Sequence, residues 1–265
     1  MDLNLQGRKV LITGAGDGIG RALALEFAKM GAHVAGCARS QDRLTSLSRE
    51  IEGNGHVFCP TDLTRPEEIL NFHDNVIETF GGLDVLVNNA GSILKLGGFF
   101  DVTDQDWQDS FNINLMPAVR LCRLFVPALK HSGAPRIINI SSIAGSRPGD
   151  IFPHYSAMKA ALSNFTVSLA QTLAPEKILV NSVSPGPVWT RSWEQEAALA
   201  SENSEKNLSD VKEEIKTGTA KNVLLKRMGM PEDLSGIVLF LSSDRSSWIT
   251  GSNFTVDGGV TLNPY

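Results

Sequence analysis

A chain of 265 residues is long enough for one large α/β domain, and 42% hydrophobic against 20% charged residues is the usual balance of a globular protein that faces water. Its formal net charge of −5 argues against nucleic acid or an anionic membrane as the main partner. The polar start before Arg8 and Lys9 has no signal-peptide core, no apolar run reaches membrane-spanning length, and the dispersed Cys37, Cys59 and Cys122 read as buried thiols of a reducing, cytoplasmic setting.

Strand and helix patterns alternate along the chain. Lys9–Thr13 reads as a strand, and 18–30 as a helix that buries Ala22, Leu23, Leu25, Phe27 and Ala28. A strand at His33–Ala38 and a helix over 42–52 follow, then a strand at 57–59. Pro66–Phe80 is a helix with proline in its first turn and Gly81-Gly82 past its end. Short strands are expected at 84–88, 136–141 and 179–183, separated by long helices over 104–131 and 154–173. A helix at 232–242 precedes a last strand ending at Val256. Unbroken apolar runs such as Val85-Leu86-Val87 suit strands covered on both faces. The alternation predicts an α/β fold: one doubly wound parallel sheet over residues 1–265, with helices on both faces and ligands at the carboxyl ends of the strands. Residues 191–221 break the rhythm, being polar and charged. They read either as a surface excursion or as a substrate lid.

The turn after the first strand is Thr13-Gly14-Ala15-Gly16-Asp17-Gly18-Ile19-Gly20. Its Gly14, Gly18 and Gly20 follow a G-x-x-x-G-x-G spacing. Glycines let backbone approach a pyrophosphate, and the helix that follows aims its amides and dipole at it. The second strand ends Ala38-Arg39, with no carboxylate where one would bind ribose hydroxyls and a guanidinium suited to a 2′-phosphate. NADP is therefore favoured over NAD, although the charge of Asp17 opposes a phosphate and Arg39 has the alternative of a solvated loop residue.

Tyr155 and Lys159 are four apart at the start of a helix, so phenol and ammonium share one face. A phenol titrates near ~10. A cation beside it favours phenolate and draws it toward the range of acid–base catalysis. Such a pair is common on helix surfaces; its company gives it meaning. Ser142 follows one strand, Asn88-Asn89-Ala90-Gly91 another, and Pro185-Gly186-Pro187-Val188-Trp189-Thr190 a third, all at the same sheet edge.

In combination these motifs resemble the short-chain dehydrogenase/reductase family in its common short form, including members of the 3-oxoacyl-carrier-protein reductase kind. The resemblance runs from Thr13 to Asp257-Gly258-Gly259, with thirteen residues from Ser142 to Tyr155 as in the family. It implies a Rossmann-type dinucleotide-binding domain and an enzyme that moves a hydride between NADP(H), or NAD(H), and a ketone or secondary alcohol. Tyr155 would exchange the proton with the carbonyl oxygen, Ser142 would position that oxygen, and Lys159 would lower the tyrosine pKa and hold the nicotinamide ribose. Asn114 would help hold a water that links Lys159 to solvent. For the cofactor the resemblance implies Gly14, Asp17, Gly18, Ile19, Gly20 and Arg39 around the phosphates and adenosine. It implies Asp62 and Leu63 at adenine, and Asn89, Ala90 and Gly91 beside the nicotinamide ribose. Pro185, Gly186, Val188 and Thr190 would lie at the nicotinamide amide. Three of these have structural alternatives: Asn114 as a helix bridge, Asp62 as a turn former before Thr64, and Thr190 as a helix cap.

An enoyl reductase of the same fold would have a longer Tyr-to-Lys interval, whereas position 162 is Leu. A sugar-nucleotide epimerase would have a longer C-terminal region. A non-catalytic dinucleotide-binding redox sensor would have lost members of the Tyr–Lys–Ser set, all present here. The five histidines lack ligand spacing for a metal. The resemblance further implies a homotetramer or homodimer, built on helices 104–131 and 154–173 and the last strand.

Overall fold

Seven parallel strands form one sheet in the order β3-β2-β1-β4-β5-β6-β7 in a computed structural model, which describes residues 2–202, 204 and 206–262. Asn203 and Glu205, within the 191–221 segment, lie outside the described residues, as do Met1 and 263–265. The strands are β1 (Lys9–Thr13), β2 (His33–Ala38), β3 (Val57–Pro60), β4 (Val85–Asn88), β5 (Arg136–Ile140), β6 (Leu179–Pro185) and β7 (Asn253–Val256). The helices are α1 (Gly18–Lys29), α2 (Gln41–Glu50), α3 (Pro66–Phe80), α4 (Asp104–Asn114), α5 (Met116–Leu129), α6 (Pro153–Leu173), α7 (Arg191–Glu202), α8 (Leu208–Ala220) and α9 (Ser235–Ser242).

Strand side chains alternate between two cores, because successive Cβ atoms point to opposite faces of a sheet. Val10, Ile12, Val85, Val87, Ile138 and Ile140 pack on one side with Leu23 and Phe27 of α1 and Val238 and Leu241 of α9. Leu11, Leu86 and Ile137 pack on the other with Phe72 of α3, Phe125 of α5 and Leu173 of α6. This is the doubly wound parallel sheet expected from the sequence. Its switch point lies between β1 and β4, where chain connections diverge and open a crevice.

Local chemistry sets the element ends. Pro66 opens α3 and Gly81, at φ 65°, closes it in the left-handed region that glycine adopts without strain. Thr103 and Asp106 cap α4 reciprocally, each side chain accepting the other's backbone amide. The helix expected over 104–131 is two helices. Leu115 leaves helical geometry (φ −125°, ψ −54°), and Pro117 supplies no amide with which α4 could continue. The break makes Asn114 the last residue of α4. Within segment 191–220 the described residues include α7 and α8, which pack on each other, with Lys216 over the buried ring of Trp189 at 4.5 Å. Among the described residues no helix is long and apolar enough to cross a membrane, and no three His, Cys, Asp or Glu side chains are grouped to hold a metal ion.

His154 sits on the inner side of the first turn of α6. It is fully buried, neither ring nitrogen has a hydrogen-bond partner among the described residues, and its ring meets Trp107 of α4 at 6.2 Å. Burial lowers its pKa, with Asp106 opposing and Lys95 reinforcing the shift. The unfolded chain thus takes up this proton first, and stability falls as pH drops through about 6.5 and below. His154→Phe is expected to flatten the loss of denaturant midpoint between pH 7 and pH 5; an unchanged slope would assign that loss to other groups.

Candidate active site

The glycine turn is built around Thr13. Its Oγ1 accepts the amides of Asn89 and Ala90, both at 2.9 Å, and its carbonyl accepts the Asn89 side chain at 2.9 Å. These bonds fasten the end of β1 to the end of β4 across the switch point. Thr13→Val would strand two amide donors in a partly buried place. It is expected to lower stability by about 2–4 kcal/mol in denaturant titration. A change under about 0.5 kcal/mol would show the link to be dispensable.

Gly14 (φ +69°) and Gly18 (φ +51°) use backbone angles other residues rarely adopt, and a Cβ on Gly20 would strike the Gly14 carbonyl and the Asn89 side chain. Asp17 caps α1, accepting the Gly18 amide at 2.7 Å. The amides of Ile19 and Gly20 have no acceptor among the described residues, as the first turn of a helix leaves them. The Asp17 carboxylate also faces Arg43 of α2 at 3.3 Å and Arg191 of α7 at 3.9 Å. Sequence reading missed both arginines. The one legible signal for Arg43 was its place a helical turn beyond Arg39, at the start of α2.

Arg39 itself is exposed just after β2. Asp62 follows β3, and its Oδ1 accepts both the amide and the hydroxyl of Thr64 at 2.9 and 2.7 Å. Burial pushes this carboxyl up, but the Thr64 bonds and the charges of Arg39 and Arg65 bring it below its ordinary value. The turn-former geometry is therefore present, with the carboxylate charged. Leu63 is buried in the core between sheet and helices. Gly91 lies so close to the Asn114 Oδ1 and Lys159 Nζ that a Cβ there would stand 2.9 and 3.0 Å from them.

Beyond β6, Pro185 ends the strand and the Gly186 amide bonds Val256 at 3.0 Å. Val188 bridges to Gly229, and the Thr190 methyl meets Gly18. The Thr190 carbonyl accepts the amides of Trp193 and Glu194, so it also starts α7.

The Ser142 hydroxyl lies beside the Tyr155 phenol, and Ser142 Oγ accepts the Ala144 amide at 3.1 Å. Lys159 is 3% exposed; its Nζ donates to the Ile140 carbonyl at 2.9 Å and stands 5.7 Å from the centre of the Tyr155 ring. Burial pushes the Tyr155 phenol above its ordinary value, and the neighbouring Ser142 hydroxyl offsets part of the rise. Burial also pushes the Lys159 ammonium down to about 8. This differs from the expectation that Lys159 would draw the phenol down: the cation lies over the ring face, and burial acts against both charged forms. Asn114 Oδ1 accepts the Ser92 amide at 2.9 Å while its Nδ2 donates to the Ser92 and Ser110 carbonyls. It bridges α4 to the loop after β4. Cys37 and Cys122 are buried thiols pushed up to about 12, hence poor nucleophiles.

Tyr155, Ser142, Lys159, Asn114 and Gly91 thus converge at the carboxyl ends of β4 and β5, beside the glycine turn. A family model described as enoyl-(acyl carrier protein) reductase matches residues 14–261. The chain belongs to the short-chain dehydrogenase/reductase family. It is an oxidoreductase. Similar proteins include an uncharacterized oxidoreductase YvrD of Bacillus subtilis, 36% identical over 98% of both chains. The 3-oxoacyl-[acyl-carrier-protein] reductase FabG of Thermotoga maritima is 33% identical over 98% of this chain and 100% of its own. Among solved structures, L-sorbose reductase from Gluconobacter frateurii, complexed with NADPH and L-sorbose, superposes with a TM-score of 0.91 at 33% identity, covering 99% of this chain and all of that one. Aldohexose dehydrogenase from Thermoplasma acidophilum gives 0.87 at 26%, covering 100% and 98%.

Proposed function

We propose that this oxidoreductase interconverts a ketone and a secondary alcohol with a nicotinamide dinucleotide, using Tyr155 as general acid and base. The observation that carries the reading is the Ser142 hydroxyl set beside the Tyr155 phenol at the carboxyl end of β5, with Lys159 buried against the Tyr155 ring. The glycine turn suits a dinucleotide: the backbone at Gly14, Gly18 and Gly20 is bare, and the two partnerless amides of Ile19 and Gly20 suit a pyrophosphate. A bound nicotinamide supplies or accepts the hydride. The chain's own part is to hold the substrate oxygen between Ser142 and Tyr155 and to move one proton at the Tyr155 oxygen. A phenol kept above its ordinary value is protonated at neutral pH, the state reduction needs. Asn114 fixes the Ser92 loop beside Lys159, and we assign it this positioning role together with the water relay implied by the resemblance. Leu162, buried in α6, leaves Lys159 as the only lysine within two turns after Tyr155, which supports carbonyl over enoyl chemistry.

The preferred cofactor in this reading is NADP(H). Arg39 carries no carboxylate partner within ion-pair distance among the described residues, and Asp17, the charge that would repel a 2′-phosphate, is already matched by Arg43 and Arg191. Asp62 and Leu63 would meet adenine, Asn89 and Ala90 the ribose, and Pro185, Gly186, Val188 and Thr190 the nicotinamide amide. Helices α7 and α8 serve as the substrate lid of a single domain. The chain works in the cytoplasm as a homotetramer through α4, α5, α6 and β7.

The test is initial-rate reduction of a carbonyl panel with NADPH and with NADH. Arg39→Ala and Arg43→Ala are each expected to raise KM for NADPH at least about tenfold while changing that for NADH less than about threefold, the loss of one charge-assisted phosphate contact. Equal losses with both cofactors would remove the NADP assignment. No turnover of any carbonyl with either would remove the reaction.

A further inference from the structure

Resting on the carbonyl reading, we infer that the substrate is lipophilic: a ketone or secondary alcohol whose carbon skeleton beyond the reacting carbon is apolar, and not a free polyhydroxylated sugar. The surface leading away from Tyr155 carries this. The Phe152 ring stands edge-on to Tyr155 at 5.9 Å. Next to it, Ile151 accepts the Gly97 amide at 2.8 Å, which joins loop 147–152 to loop 92–101. On the second loop Phe99 and Phe100 pack edge to face at 5.2 Å, yet they are 67% and 95% exposed, and Leu94, Leu96 and Ile151 are exposed beside them. Large apolar side chains left in water side by side, continuous with a reaction centre, gain free energy when a ligand covers them.

The polar side chains of the same two loops are few, and four of the five are held by bonds to the protein. Ser92 Oγ donates to the Ile93 carbonyl, and Lys95 is paired with Asp106 at 3.1 Å. Asp101 accepts the Gly98 amide at 2.9 Å, and Arg147 donates to the Val260 carbonyl at 2.8 Å. Asp150 alone, among the described residues of these loops, has a side chain without such a partner. A ketose carries a hydroxyl on almost every carbon, and each one desolvated against Leu94, Leu96, Phe99, Phe100 or Ile151 would lose water without gaining a partner.

The test compares kcat/KM for straight-chain methyl ketones, from 2-butanone to 2-decanone, with that for L-sorbose, using the better nicotinamide. Each methylene is expected to raise kcat/KM roughly threefold to fourfold until the apolar surface is covered, placing the longer ketones about 100-fold or more above L-sorbose. A flat series, or L-sorbose as the better substrate, overturns the inference and leaves the carbonyl chemistry standing. Phe99→Ser/Phe100→Ser is expected to reduce the chain-length slope by about half while 2-butanone turnover stays within about twofold. If that variant keeps the full slope and instead changes the assembly in sedimentation velocity, the apolar loop is a surface between copies and the inference fails. If no ketone and no sugar is turned over with either nicotinamide, the carbonyl reading fails first.

Discussion

Tyr155→Phe is expected to lower kcat for carbonyl reduction roughly 10²- to 10⁴-fold, the range for removing a positioned proton donor. Nicotinamide affinity should stay within about twofold. The substitution removes one oxygen and keeps the ring that packs edge-on to Phe152. Ser142 keeps the hydrogen bond that orients it from Ala144. What disappears is the proton at the oxygen. The pH dependence should follow from the phenol's position above its ordinary value. Reduction uses the protonated phenol, so it should hold through neutral pH and fall in alkali. Alcohol oxidation begins from phenolate, so its rate should climb with pH over the same span. Tyr155→Phe should abolish that climb. Initial rates in both directions between pH 6 and pH 11, with fluorescence titration of the cofactor, check both parts. Retention of most of the activity would show that another group moves the proton.

Lys159→Met is expected to remove activity and yet stabilise the ligand-free protein at neutral pH. Burial holds the Lys159 ammonium at about 8, against an ordinary 10.5. Between these values the unfolded chain binds the proton and the folded one has released it. Stability therefore rises with pH across the window, and the whole cost is felt below about 8. That difference corresponds to a cost on the order of 3 kcal/mol at pH 7. Methionine has nearly the same length and no charge. Part of the gain is offset because the Ile140 carbonyl loses its 2.9 Å donor, worth about 1 kcal/mol. The variant should therefore unfold at a higher denaturant concentration than the parent at pH 7, and the advantage should vanish near pH 10. A variant less stable at pH 7 would mean that the Ile140 bond outweighs the buried charge. Such a trade is expected where a charge is kept for chemistry instead of for folding.

The strand–helix rhythm made the sheet readable because each local rule agreed with the next. Proline at the start of α3 and glycine after it, and the apolar run Val85-Leu86-Val87 of β4, leave few alternatives. What escaped was long-range or set by a single break. The division of 104–131 depends on the geometry of Leu115, which periodicity averages over, although Pro117 marked the place. Helices α7 and α8 rest on their packing against each other and on Lys216 covering Trp189, neither of which polar composition reveals. At the site, Tyr155, Lys159 and Ser142 were legible as a set because spacing brings them to one edge. The partners of Asp17 were not, since Arg43 and Arg191 reach it from elements far apart in sequence. The protonation of Tyr155 and Lys159 was not legible either, because it depends on burial, and a four-residue spacing reports only proximity.

Hydride transfer itself is tested most directly by mass spectrometry of the alcohol formed from a methyl ketone and NADPH or NADH deuterated at C4 of the nicotinamide. The wild-type protein is expected to place deuterium on the carbinol carbon, from one face of the ring only, and Tyr155→Phe to form almost none of this product. Alcohol that carries the label from neither C4 epimer of the deuterated nicotinamide, or equally from both, would contradict direct transfer in a fixed site.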